Sequence, residues 1–96
     1  MIRQATQRHI RVSRFRPFTS RPEGVIRLKF RYDPFVVQAL KQSLARWKAL
    51  AYDPSQRRLM PGGWLPEHKS WFVEDIIWPA VRADLREAGC QIEESM

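Results

Sequence analysis

The chain has 96 residues and carries 17 Lys and Arg against 10 Asp and Glu, a formal net charge of +7. One domain is the expected organisation at this length, and 44% hydrophobic residues with 4 Trp argue against a globally disordered chain. The lone cysteine, Cys90, excludes an internal disulfide and a zinc cage built on cysteines.

The charge is spread unevenly. Residues 1–32 hold nine basic residues and one acidic residue, Glu23, whereas residues 64–96 hold three basic and seven acidic ones. Such a division points to an oriented surface for a polyanion rather than to general solubility. No apolar run approaches the length of a membrane span, and no signal-peptide core follows the first basic residues. We therefore expect no membrane partner and a cytoplasmic (nucleoid-associated) or nuclear location.

Residues 1–24 carry six basic residues interrupted by Thr, Ser and Pro. They read as a flexible basic arm that orders along a phosphate backbone, with Arg11, Arg14 and Arg16 as its contacts. The apolar Ile10, Val12 and Phe15 leave a short strand in this segment as the alternative. The domain proper is expected over 25–96.

Residues 25–32, Val-Ile-Arg-Leu-Lys-Phe-Arg-Tyr, alternate strictly. On a strand, Ile26, Leu28, Phe30 and Tyr32 share one face, and Arg27, Lys29 and Arg31 share the other. The first face can build a core; three cations in a row on the second suit phosphates. Asp33 is a good N-cap and Pro34 a good first helical residue. Val37, Leu40, Leu44 and Trp47 then recur at spacings of three and four, which predicts an amphipathic helix over 34–48. Asp53-Pro54 and Pro61-Gly62-Gly63 mark a loop that carries Arg57 and Arg58.

Residues 63–73 place two short apolar pieces around a polar centre and predict a tight hairpin with Trp64 opposite Trp71 and Lys69 at the tip. Cross-strand packing accounts for both tryptophans; stacking on a nucleic-acid base is the second role open to them. Glu74-Asp75 then open a second helix with the stripe Ile77, Val81, Leu85 and Ala88, ended by Gly89. Gln91-Ile92-Glu93 offers a last strand. The order β-α-β-β-α(-β) predicts an α+β fold: a two-layer sandwich of a small, mainly antiparallel sheet with two helices on one face. The basic face of the first strand would lie on the open side.

No catalytic or metal site is expected. His9 and His68 have no partners at ligand spacing, and Asp33, Asp53 and Glu67 are explained by capping and turns. No cofactor is expected either, because the four glycines do not form a phosphate loop. We therefore expect a binding module rather than an enzyme. Its nucleic-acid contacts would be Arg11, Arg14, Arg16, Arg27, Lys29, Arg31, Arg57, Arg58 and Lys69, with Trp64 and Trp71 available for stacking.

Three stretches carry a resemblance. Phe30-Arg31-Tyr32-Asp33-Pro34 runs from strand into helix, Leu40-Lys41 lies within that helix, and Trp64 to Val73 forms the hairpin. Together, over roughly 25–90, they resemble the HARP domain of Swi/Snf-type annealing helicases. Tyr52-Asp53-Pro54 and Trp64-Leu65-Pro66 compete for one element of that family, which places an insertion near 52–63. The resemblance implies recognition of DNA structure, such as forks, junctions or single-to-double-strand transitions. It does not imply remodelling by this chain, which lacks the motor's phosphate loop. DNA is thus the first partner expected and RNA the second, with a larger protein assembly as a further class and nothing that sets an oligomeric state. The alternative is a protein-interaction or regulatory module whose basic face docks an acidic partner.

Overall fold

The computed structural model describes residues 8–53 and 57–95. Its first strand, β1 (Arg8–Phe15), lies where the basic arm was expected. Ile10 and Val12 are fully buried, and β1 sits between β2 (Val25–Lys29) and the C-terminal β7 (Cys90–Glu94). The expected boundary at residue 24 is therefore wrong for this segment. Six cations masked a period-two pattern that supplies the middle of the sheet. Residues 1–7 of the expected arm lie outside the described residues.

The remaining elements are α1 (Pro34–Trp47), β3 (Tyr52–Asp53), β4 (Arg58–Leu59), β5 (Gly62–Leu65), β6 (Ser70–Val73) and α2 (Trp78–Glu87). The main sheet has the order β5-β6-β2-β1-β7. All its neighbours are antiparallel except β1 and β7, which run parallel. Ile10, Val12, Ile26 and Leu28 of the sheet form one core with Val36, Leu40 and Leu44 of α1 and Val81 and Leu85 of α2. Both helices thus cover the same face, and the fold is a two-layer α+β sandwich, as expected.

Local chemistry sets the element ends. The Phe35 backbone N–H donates to Asp33 Oδ1 at 2.9 Å, the N-cap bond expected before α1. The buried helix stripe is Val36, Leu40, Ser43 and Leu44, one position earlier at its start than the Val37 stripe expected. A short 3-10 turn, Asp75–Ile77, precedes α2, whose first turn accepts Pro79. After α2, Gly89 takes the left-handed conformation at φ 95° that closes many helices. The expected loop after α1 contains β3 and β4, a two-stranded sheet with Asp53 opposite Arg58. Residues 54–56 lie outside the described residues.

The face away from the helices is not the bare basic surface expected. Phe15, Val25 and Phe72 share it with Arg27 by register, and Val25 and Phe72 are buried. The connection between β1 and β2 folds over them: Phe18 meets Phe72 edge-on at 5.0 Å between ring centroids. Gly24 closes this connection at φ 91°, where a Cβ would lie 2.8 Å from the Phe15 carbonyl oxygen. At this position only glycine is free of both strain and clash.

Candidate nucleic-acid interface

Antiparallel pairing places the end of β2 beside the starts of β1 and β6. The β5–β6 turn and the start of α1 lie at the same end of the sheet. Two adjoining grooves open there, of about 180 and 660 Å³, and share Lys29, Phe30 and Tyr32. The smaller is walled by Trp64 and Trp71 and edged by Lys69. The larger runs past Arg31 to Arg8, His9 and Arg11.

Tyr32 is 78% exposed. Alternation assigned it to the core, but β2 ends at Lys29 and residues 30–33 form the connection to α1. The strand therefore stops before the period-two pattern in the sequence does. Asp33-Pro34 was the signal: a helix cap needs a connector before it, and the residue preceding a proline leaves little room for a helix to begin earlier. Arg31 leaves the strand with Tyr32, so the expected Arg27, Lys29, Arg31 row is not a row on one strand.

The hairpin is as the sequence predicts. Trp64 stands opposite Trp71, with ring centroids 5.8 Å apart and planes tilted by 59°. Trp71 is partly buried against the core, which makes it a packing residue with one edge in the groove. Trp64 is 48% exposed. A 3-10 turn, Pro66–His68, brings the chain to Lys69, whose φ of 48° is left-handed. A non-glycine residue there is uncommon and costs energy.

The groove cations differ in their freedom. Arg8 is committed: its Nε lies 2.9 Å from Asp33 Oδ2, and its guanidinium sits 4.4 Å over the Phe35 ring. Arg11 has only a 4.0 Å approach to Glu93, and its side chain is 80% exposed. Lys29, Arg31 and Lys69 are exposed and make no ion pair among the described residues. Four cations are thus available around the two adjoining grooves.

The other expected contacts lie elsewhere. Arg14 pairs with Asp75 at 3.0 Å, and Arg16 Nε donates to the Pro22 carbonyl at 2.9 Å. Both belong to the opposite end of the sheet, where they hold the β1–β2 connection. Arg27 is half-buried, with its guanidinium 5.1 Å from the centroid of Phe15. Arg57 is exposed at φ 51° beside the undescribed 54–56, and Arg58 lines a separate groove with Lys48. Arg8, His9, Phe30 and Tyr32 were missed, because they converge only through the pairing of β1 with β2.

At that opposite end, Arg21 Nε donates to Glu74 Oε2 at 2.7 Å, and its other arm lies 3.5 Å from Asp53 Oδ1. All three side chains are largely buried. Burial pushes the Glu74 carboxyl above its usual 4.5, and the hydrogen bond and charge of Arg21 offset part of that. Cys90 is buried, and its burial pushes the thiol up and makes it a poor nucleophile. No group of three or more His, Cys, Asp or Glu among the described residues could hold a metal ion. Likewise, no described helix is long and apolar enough to cross a membrane.

Fold and groove together define a small α+β protein with a pair of basic, aromatic-lined grooves at one end of its sheet. Compared with protein-family models, curated proteins and solved structures, the chain matches none.

Proposed function

We propose that the chain is a nucleic-acid-binding module whose contact surface is the pair of adjoining grooves at the β2–α1 corner. One observation carries the reading. Arg11, Lys29, Arg31 and Lys69 surround the exposed Tyr32 and Trp64 in grooves that share three residues. Cations interleaved with free aromatic faces are what a charged strand with stackable bases requires. An acidic polypeptide needs the cations but has no planar bases for the aromatics.

The resemblance of Phe30 to Pro34 and of the Trp64 to Val73 hairpin to the HARP domain supports DNA, and specifically DNA with a strand junction. Both stretches lie at the groove. In this reading the chain binds and does not catalyse, and any remodelling belongs to a partner motor.

The test is a polarisation series with single-stranded, forked and blunt duplex DNA, single-stranded RNA, and polyglutamate. Forked or single-stranded DNA should bind best. Log affinity should fall with log salt by roughly 0.7–0.9 per phosphate contact. Tighter binding of RNA would overturn the DNA assignment. Equal binding of polyglutamate would overturn the nucleic-acid reading and favour an acidic protein partner.

A further inference from the structure

We infer that the smaller groove is a pocket for a single unpaired base of DNA, and that Tyr32 supplies its stacking face. This rests on the nucleic-acid reading above and adds to it the residue that separates unpaired from paired strands.

The groove is lined by the aromatic Phe30, Tyr32, Trp64 and Trp71 and by two cations, Lys29 and Lys69. That is the division a nucleotide presents: an apolar planar base and a charged phosphate. Trp71 is held by the core and by its pairing with Trp64, so the pocket has one fixed wall. Tyr32 forms a free wall, 78% exposed, between Arg31 and the helix cap Asp33. No packing in the described structure accounts for a large aromatic side chain left in solvent at this point.

The size of the pocket, about 180 Å³, suits one inserted ring system and not a stacked pair. A base in a duplex is stacked on both sides and cannot enter without unpairing. A base in a single strand or at a fork enters freely. Lys29 and Lys69 then meet the flanking phosphates, and the larger groove with Arg31 and Arg11 takes the strand onward. The cations give affinity for any nucleic acid, and the pocket gives preference for an unpaired one.

The experiment uses the full chain and DNA carrying 2-aminopurine, a fluorescent base quenched on stacking, in single-stranded, forked and duplex form. Wild-type protein should quench the probe in the single strand and at the fork but not in the duplex. Tyr32→Ala should remove that quenching. It should weaken single-stranded and forked binding by roughly 5- to 140-fold, the range of one base–aromatic stack. Its duplex affinity should stay within about two-fold. Tyr32→Phe should restore both quenching and affinity, because it keeps the ring; loss with Phe as well as Ala would overturn a stacking role. Nucleic-acid binding that Tyr32→Ala leaves unchanged would overturn the pocket while leaving the binding surface intact. Absence of binding by the wild type to every form would overturn the underlying reading.

Discussion

The Trp47 indole donates to Asp84 Oδ2 at 2.8 Å, joining the last turn of α1 to the middle of α2. Ser43 Oγ donates to the same oxygen at 2.7 Å and Arg46 to Oδ1 at 3.1 Å. One carboxylate therefore pins the two helices. Burial alone would raise its pKa, but the bonds from Ser43 and Trp47 and the charge of Arg46 together hold it below the usual 3.8. A depressed folded value means the carboxylate stabilises the fold above its unfolded pKa and stops doing so as pH falls through the folded one. Asp84→Ala should cost about 1–3 kcal/mol, since it leaves the buried Ser43 hydroxyl without its acceptor. Urea titrations at pH 7 and at a series of lower pH values check this. The gap between wild type and variant should be wide at pH 7 and should narrow as the pH falls below 3.8.

Arg21 should matter as much, for another reason. It is the cation shared by two buried carboxylates, Glu74 and Asp53, and it ties the β1–β2 connection to both. Arg21→Met removes the guanidinium that pairs with Glu74 at 2.7 Å, and breaking such a largely buried pair costs about 3–5 kcal/mol. Glu74→Gln should be milder, because Arg21 keeps Asp53. The Glu74 carboxyl has a raised folded pKa, so its ionisation works against the fold as pH rises above the usual 4.5. Thermal melts across pH 4 to 8 should therefore show a flatter profile for Glu74→Gln than for wild type.

What could be read from the sequence was local. Asp33-Pro34 fixed the start of α1, the spacing of Leu40 and Leu44 gave its buried side, and the Trp64–Trp71 pairing followed from hairpin symmetry. What could not be read was non-local. The partner of β1 on one side is β7, more than eighty residues away in parallel register, and nothing near Ile10 announces it. The role of each arginine was equally hidden. Arg14, Arg16 and Arg27 look like Lys29 and Arg31 in sequence. Only the fold shows that Asp75, the Pro22 carbonyl and the Phe15 ring already engage the first three.

Truncation tests that difference. Deleting residues 1–15 removes a central strand, including the fully buried Ile10 and Val12. The truncated chain should fail to fold, judged by loss of cooperative melting. For a less drastic probe, Ile10→Ala should cost about 2–5 kcal/mol, the usual range for a large buried aliphatic.

Two arginine-to-glutamine variants should part ways. Arg31 is exposed and unpaired among the described residues, so Arg31→Gln should leave stability within about 0.5 kcal/mol. It should also weaken nucleic-acid binding and reduce the salt slope by about 0.7–0.9. Arg27 packs over Phe15 on the covered face, so Arg27→Gln should lower stability and leave the salt slope unchanged. Melting curves and salt titrations of the two proteins side by side decide it.

Lys69 gives the sharpest separation of stability from binding. Its backbone is left-handed at φ 48°, which costs an L-residue with a Cβ about 1–2 kcal/mol. Glycine would relieve that strain, but its freer unfolded chain returns about 0.5–1 kcal/mol. Lys69→Gly should therefore be as stable as the wild type or more stable by up to about 1.5 kcal/mol. A lysine held in a place glycine fits better suggests that its charge serves the groove, where it stands beside Trp64 and Trp71. The same substitution should then weaken binding of single-stranded and forked DNA and lower the salt slope by about one phosphate contact. Denaturant melts and polarisation on one protein preparation measure both quantities. A variant that gains stability and loses affinity is the expected result. Unchanged affinity in a folded Lys69→Gly protein would remove the hairpin tip from the binding surface and leave Lys29 and Arg31 to carry it.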